Sequence, residues 1–301
     1  MSDQPSVAAV ILGWNLKDET TACARSLLAQ GYPELRLVLV DNGSTDGSPA
    51  HLRRELPEAE LVELGTNQGI AAGYNAGLRR ALELGADYAF VLNNDTLFAP
   101  GCLAALVEAA RRHADAGVLM PKIVYESERG RLWSAGQRRR RFPPGVVMIG
   151  LNRPDGPDYS VERELDFAPS CALLIRRGTL ERVGLFDTGY FFYYDDADYC
   201  ERVRLAGQTI RYVPAAVVYH KVSLSTARSS RPARWWYVMG RSAVLYYRRY
   251  YRPFAPALAL YAGWFLARES VKGNARYLPL FLRGLAHALA GRPMPAPEAL
   301  G

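Results

Sequence analysis

Residues 91–101, VLNNDTLFAPG, set Asn93, Asn94 and Asp95 at the end of an apolar run and ahead of a Pro-Gly break. A hard divalent cation such as Mg²⁺ or Mn²⁺ prefers oxygen ligands. It often takes one or two from protein and the others from water and substrate phosphates, so one acid flanked by amide oxygens can serve. The competing reading is a helix N-cap, although Asp95 lies several residues ahead of the helix expected near Pro100. A second cluster, Asp195, Asp196 and Asp198, follows four consecutive aromatics at the start of a predicted helix, where carboxylates suit the positive end of the dipole. A cap needs only one acid. Three within four residues repel one another, and a partly desolvated one has its pKa raised toward that of a useful general base. His220 ends a valine-rich strand and reads as a core histidine unless Asp95 is a metal site.

These residues need elements to hold them. VAAVILGW (7–14), LRLVLV (35–40), ELVEL (60–64) and YAFVLN (88–93) are short apolar runs, each followed by turn residues and a stretch of helical spacing. Apolar strands alternating with helices predict a doubly wound α/β fold with a mostly parallel sheet. In such sheets ligands bind beyond the carboxyl ends of the strands, where the strand order reverses. Trp14 and Asn15, Asp41, Asn67, and Asn93 to Asp95 all fall at strand ends, so four polar clusters can face one crevice. Asp41 and the NGSTDG after it read equally as a turn. NQGIAAGYNAG places Gly69, Gly73 and Gly77 four apart on one helix face, which close helix packing explains as well as a nucleotide does. It does not match the dinucleotide fingerprint, in which Gly-x-Gly-x-x-Gly directly follows the first strand. Residues 127–166 lose periodicity amid Gly, Pro and Arg, and are expected to form loops or short strands over the cleft.

The 301 residues are 49% hydrophobic and 22% charged, enough for one large core with a smaller subdomain. Cys23, Cys102, Cys171 and Cys200 lie far apart without a Cys-x-x-Cys pair, which favours buried reduced thiols over a zinc cluster or a disulfide framework. The opening residues show no basic segment followed by a long apolar one, so a cytoplasmic site is expected. The net charge of +7 is uneven: residues 221–301 hold 13 Lys/Arg against Glu269 and Glu298, a net +11. There, Arg234, Arg241, Arg248 and Arg252 share one helical face and Trp235, Met239, Tyr246 and Tyr250 another. That arrangement suits a helix lying in an anionic membrane surface, or one packed on the preceding domain. Phe254 to Ala267 is apolar but shorter than the roughly 20 residues needed to span a bilayer. No RNA-binding module is recognisable, and nucleic acid is not an expected partner.

Taken in order, VAAVILGWN, LVLVDNGSTDGS, NQGIAAGYNAG, FVLNNDT, the block from Ser170 to Gly207 and VVYH resemble the family 2 glycosyltransferases of the GT-A fold, in the rhamnosyltransferase-like branch that builds bacterial surface polysaccharides. The resemblance covers about residues 7–222 and implies a transferase domain over 1–222 with a helical extension over 223–301. It implies a dTDP- or UDP-sugar donor, with Asp41 at the base beside Trp14 and Asn15, and Asn67, Gly69 and Asn75 along the nucleoside and diphosphate. Asn93-Asn94-Asp95 stands where the family has its D-x-D motif. Asp95 would therefore hold Mg²⁺ or Mn²⁺, with His220 as a further ligand. DDAD stands where the family has Glu-Asp-x-Asp, which makes Asp196 the expected general base beside Asp195 and Asp198. The implied reaction is inverting transfer to a glycan or lipid-linked acceptor on the cytoplasmic membrane face. Gln208-Thr-Ile-Arg211-Tyr212 only superficially resembles the Q-x-x-R-W of processive synthases, since it comes too soon after the acids, and single-sugar transfer is expected. Two other readings compete. The incomplete acid pair at Asn93 and Asp195 allows a non-catalytic nucleotide-sugar or glycan-binding protein, and the strand pattern allows a nucleotide-dependent oxidoreductase.

Overall fold

Strands with no polar side chain to offer a solvent must be covered on both faces, and the chain covers them by alternating strand with helix. The computed structural model describes residues 4–221 and 233–295. The first half runs β1 (Val7–Gly13), α1 (Lys17–Leu28), β2 (Leu35–Asp41), α2 (Ser48–Glu55), β3 (Glu60–Glu63), α3 (Ile70–Glu83) and β4 (Tyr88–Asn93), followed by β5 (Thr96–Phe98) and α4 (Cys102–Arg112). The second half holds β6 (Ala116–Tyr125), β7 (Leu132–Ser134), β8 (Gln137–Arg140), β9 (Gly145–Met148), β10 (Arg163–Glu164), β11 (Ala172–Arg176), α5 (Arg177–Val183), α6 (Asp195–Leu205) and β12 (Thr209–His220). Three helices follow: α7 (Ala233–Tyr250), α8 (Phe254–Val271) and α9 (Leu278–Leu289). The boundary expected at residues 222 and 223 lies outside the described residues.

One sheet runs in the order β10-β12-β6-β11-β4-β1-β2-β3, with β5 added to β12 and β7 to β6. β3, β2, β1 and β4 are parallel neighbours, and β6 is parallel to β12. β11 enters antiparallel between β4 and β6 and joins the two parallel groups. The order reverses at β1, which has β2 on one side and β4 on the other. The crevice beyond their carboxyl ends is therefore bounded by Trp14-Asn15, Asp41-Asn42 and Asn93 to Asp95. The unpatterned stretch 127–166 contributes the short strands β7 and β10 and a separate two-stranded hairpin, β8–β9.

The glycine stripe has a packing cause. A Cβ on Gly73 would lie 2.4 Å from the Leu12 side chain, and one on Gly77 would lie 2.2 Å from Val10 and 2.8 Å from Val40. Both glycines let α3 lie directly on β1 and β2. All four cysteines are buried and free, as expected.

The aromatic face of α7 is core and does not lie in a lipid surface. Trp235 and Tyr246 are buried. Trp235 meets Tyr193 edge-on at 5.4 Å between centroids, and Tyr246 packs on Tyr194 at 5.0 Å. An apolar stripe satisfies a protein interior and a membrane equally, and here the turn that precedes α6 takes the place of lipid. The hydroxyls confirm the fit: Tyr247 donates to the Pro144 carbonyl at 2.6 Å and Ser242 to the Phe192 carbonyl at 3.1 Å.

α7 crosses α9 at two glycines. A Cβ on Gly240 would lie 2.2 Å from the Phe281 carbonyl oxygen, and one on Gly284 would lie 2.0 Å from that of Tyr237. Backbone cannot yield as a side-chain tip can, so the helices would have to part. Gly284→Ala should cost about 1–3 kcal/mol of stability, read as a lowered urea midpoint. A midpoint equal to that of the wild type would show that the helices do not meet this closely.

Candidate active site

One wall of the crevice is built from loops that bond to one another. Asp41, at the end of β2, accepts from the Ser44 amide at 3.0 Å and so closes its own turn. The Asn15 amide donates to Ser44 Oγ at 2.6 Å, and Asn15 Oδ1 accepts from the Thr45 amide at 2.9 Å. Asn15 sits in the left-handed region with φ 58°, a conformation asparagine tolerates. Trp14 is half-buried, with the Arg234 guanidinium from α7 5.1 Å from its ring centroid. On the far side Asn67 Oδ1 accepts from the Gly69 amide at 3.0 Å. Asn42, which the sequence reading did not single out, donates to Asn67 Oδ1 and to the Gly69 carbonyl while accepting from the Gln68 amide. Gly69 has φ 87°, and a Cβ there would lie 2.5 Å from the Phe191 carbonyl oxygen.

Two residues assigned to the donor by resemblance have other partners. Asn75 is buried, donates to the Phe186 carbonyl at 2.8 Å and accepts from the Phe186 amide at 2.9 Å, so its side chain holds the 186–194 turn against α3. Asn94 donates to Thr20 Oγ1 at 2.9 Å and ties the end of β4 to α1. Asn93 Oδ1 accepts from the Tyr74 hydroxyl at 2.7 Å.

Asp95 is buried, and its Oδ1 lies 3.1 Å from His220 Nε2, across the β5–β12 pairing that sets His220 opposite Thr96. The Asp95 carbonyl also accepts from the Lys221 amide at 2.9 Å. His220 Nδ1 is buried and has no hydrogen-bond partner among the described residues, and the Trp133 ring stands edge-on at 4.6 Å. The Asp95 carboxylate favours the proton on Nε2, and a cation between the two would take that nitrogen's lone pair with the proton moved to Nδ1. Among the described residues no third His, Cys, Asp or Glu joins the pair. A carboxylate oxygen and an imidazole nitrogen at this spacing fit two neighbouring ligands of a small divalent ion, whose metal–ligand distances are about 2.1 Å. The remaining positions would fall to ligand oxygens and water.

Across the crevice, α6 begins at Asp195 after two consecutive left-handed residues, Tyr193 (φ 62°) and Tyr194 (φ 64°). Asp195 is buried and accepts from Ser170 Oγ at 3.2 Å. Burial, and then the neighbouring Asp196 charge, push its carboxyl well above the usual range. Asp196 is only half-buried and accepts from the Ala197 amide at 2.8 Å. Burial pushes it up to about 6, where a carboxylate can both exist near neutral pH and accept a proton. Asp198 points elsewhere: it has no exposed surface and accepts from Arg202 Nε, Arg249 Nη1 and the Tyr250 hydroxyl at 2.9, 3.0 and 2.7 Å. It anchors α6 to α7 and is withdrawn from the crevice.

The two sides meet through Tyr74, a buried residue of α3 that the sequence reading passed over. Its hydroxyl lies 2.7 Å from Asn93 Oδ1 and 2.9 Å from the Ser170 carbonyl oxygen, and Ser170 in turn reaches Asp195. The geometry thus brings together Asp95, His220, Asp195 and Asp196, with Trp14, Asn15, Asp41, Asn67 and Gly69 along the opposite wall.

Residues 9–183 match the sequence model of glycosyl transferase family 2. Over 215 residues the chain is 30% identical to the N-acetylglucosaminyl-diphospho-decaprenol L-rhamnosyltransferase of Mycobacterium tuberculosis, an alignment covering 64% of this chain and 68% of that one. It is 37% identical over 75 residues to Rhamnosyltransferase WbbL of Escherichia coli, or 24% of this chain and 28% of that one. Mannosyltransferase PcManGT from Pyrobaculum calidifontis, solved with GDP-Man and Mn²⁺, superposes with a TM-score of 0.59 at 21% identity, over 99% of this chain and 79% of that one. GalNAc-T7, solved with UDP, GalNAc and Mn²⁺, gives 0.60 at 12% identity over 91% and 59%. These two structural likenesses bear on the fold, and the two sequence relatives on the branch. The chain is a glycosyltransferase of the GT-A fold and belongs to glycosyl transferase family 2, in its rhamnosyltransferase-like branch.

Proposed function

We propose that this chain moves a single sugar, rhamnose in the first instance, from a dTDP- or UDP-linked donor to a hydroxyl of a lipid-linked or cell-surface glycan, with inversion at the anomeric carbon. The observation that carries this reading is the convergence of Asp95–His220 and half-buried Asp196 on the crevice where the strand order reverses. The relative from Mycobacterium tuberculosis, named for a diphospho-decaprenol acceptor, supports a lipid-linked one here.

In this mechanism the Asp196 carboxylate takes the proton of the acceptor hydroxyl as that oxygen bonds to the anomeric carbon. The bond from that carbon to the diphosphate oxygen breaks, and the nucleoside diphosphate leaves with the electron pair. Burial raises the neighbouring Asp195 carboxyl well above its usual range, which disfavours a second negative charge beside the incoming hydroxyl. Asp95 and His220 would hold Mn²⁺ or Mg²⁺, which when bound neutralises charge growing on the departing diphosphate. Asn15, Asp41 and Asn67, held by the turns around them, line the nucleoside.

The acceptor's lipid suggests where the protein works. α8 is apolar on every side, yet only Leu258, Tyr261, Phe265 and Glu269 on one stripe are buried. Ala255, Ala259, Leu260, Gly263 and Ala267 face outward, with exposed Arg252, Lys272, Arg276 and Arg283 around them. Over residues 233–295 the one acid is Glu269, which is buried and paired with Arg268 and Lys272. A second copy would meet this face with the same positive charge, whereas an anionic bilayer complements it. No described helix is long and apolar enough to cross a membrane, so α8 lies along the surface.

Asp196→Asn should lower kcat by about 10²–10⁴-fold without lowering the melting temperature, and near wild-type turnover would remove Asp196 from the role. Because a general base works only when unprotonated, wild-type kcat/KM should rise as pH climbs through about 6 and be lost below it; a flat profile from pH 5 to 8 would contradict the assignment. Chelation with EDTA should abolish transfer and Mn²⁺ restore it, while Asp95→Ala should lose both transfer and Mn²⁺ binding by calorimetry. The protein should sediment with vesicles containing phosphatidylglycerol and not with pure phosphatidylcholine. Leu260→Asp should weaken that binding, and recovery of the wild type in the supernatant with anionic vesicles would rule the surface out.

A further inference from the structure

Arg234 is the second residue of α7, and its place is set by the two tryptophans that follow it. Trp235 is buried against Tyr193, and Trp236 is buried with its ring stacked on Tyr277 at 5.4 Å between centroids. Arg234 itself is half-buried, and its guanidinium carbon lies 5.1 Å from the centroid of the Trp14 ring. A cation over an aromatic face is attracted by the ring quadrupole. The ring offers no charge to cancel the guanidinium's and no lone pair to its N–H groups.

Cations elsewhere around the crevice meet carboxylates. Lys221 donates to Glu19, Arg139 to Glu201, and Arg249 to Asp187 and Asp198. Arg234 forms no hydrogen bond or ion pair among the described residues. Residues 222–232 contain no Asp or Glu, and Glu269 is taken by Arg268 and Lys272. The helix opposes the charge as well, since a first turn carries the positive end of the dipole and favours anions. A half-buried guanidinium in that turn, seated on the Trp14–Asn15 wall, is arranged for a negative group that the described chain does not supply.

We propose that Arg234 is a donor-binding residue: held on Trp14, its guanidinium pairs with the diphosphate of the nucleotide sugar, so that the C-terminal helices complete the donor site. The inference rests on the reading that Trp14, Asn15 and Asp41 line the nucleoside. It puts a donor contact outside residues 9–183, which carry the family match. Guanidinium and phosphate suit each other because two parallel N–H groups can meet two oxygens. An anionic lipid headgroup offers the same oxygens. Trp14, however, directly follows β1, in the crevice where the strand order reverses, and is not on the outward face of α8.

The test measures UDP and dTDP binding by calorimetry, with Mn²⁺ present, on full-length wild type, Arg234→Ala, Arg234→Lys and Asp41→Asn. Donor and acceptor KM and sedimentation with phosphatidylglycerol vesicles are read on the same proteins. Arg234→Ala should weaken both nucleoside diphosphates about ten-fold or more and raise the donor KM by a similar factor. The acceptor KM and the sedimented fraction should not change. Uridine and thymidine, which carry no phosphate, should compete with the donor equally well in Arg234→Ala and in the wild type. Lysine keeps the charge without the fork and should recover part of the loss. Equal weakening of nucleoside and nucleoside diphosphate would reduce Arg234 to a support for Trp14. Unchanged diphosphate affinity with lost sedimentation would give the guanidinium to the lipid. If Asp41→Asn binds UDP and dTDP as the wild type does, the nucleoside does not lie on this wall and the reading beneath the inference has failed. If Asp41→Asn is weakened and Arg234→Ala is not, only the role of Arg234 has.

Discussion

Asp198 is a carboxylate with no exposed surface, and a charge taken out of water must be met by partners or it will not stay charged. It finds them on two elements. Arg202 comes from its own helix one turn on, and Arg249 and Tyr250 come from the end of α7. Arg249 reaches on to Asp187, so the same guanidinium fastens the turn that leads into α6. Removing both arginines would leave a buried charge uncompensated, a loss typically of about 3–5 kcal/mol. The helices after residue 232 are thus part of what holds Asp195 and Asp196 in place. Glu201 repeats the device at the next turn, gathering Arg139 from β8 and the Tyr246 hydroxyl from α7. Two buried acids on one helix bind the hairpin, the acid cluster and the C-terminal helices together.

Along the strand-end loops the polar residues divide between holding and presenting. Asn75 and Asn94 have amides taken up by backbone and by Thr20, and Asn42 stitches the third loop to the second. Amides suit that work because each offers donors and an acceptor without a charge to desolvate. Among the described residues Asp95 is the carboxylate left at the β4–β5 corner, paired with an imidazole whose second nitrogen has no partner there.

Much of this was legible in the residue order. Apolar runs ending in Asn or Asp, spaced by helical stretches, imply a parallel sheet with polar strand ends, and the switch point at β1 places those ends together. His220 read by itself as a core histidine, and only the resemblance set it beside Asp95, where the β5–β12 pairing places it. What could not be read are matters of partner choice at long range. Whether an acid such as Asp198 faces a substrate or an arginine 51 residues away leaves no local trace. Gln137 lies in a segment with no period, and its bridge to Phe167 exists only in the folded sheet. The aromatics of α7 were ambiguous for a physical reason, because a protein core and a lipid surface ask the same of one helix face. The glycines of α3 were ambiguous in the same way until Leu12, Val10 and Val40 were seen to occupy the space.

Tyr193 and Tyr194 both adopt positive φ without being glycine, which costs about 1–2 kcal/mol each relative to ordinary backbone. Within their own segment Phe192 packs on the Tyr193 ring at 4.0 Å between centroids. The other ring contacts come from Trp235, Tyr246 and Tyr261, which grip the two tyrosines from α7 and α8. The bend that aims Asp196 is therefore maintained in part from outside the stretch that carries the recognisable motifs. A relative could keep every one of those motifs and still fall silent through drift in its last helices. Sorting active from inactive members of such a group by their motif residues alone would then misfile it.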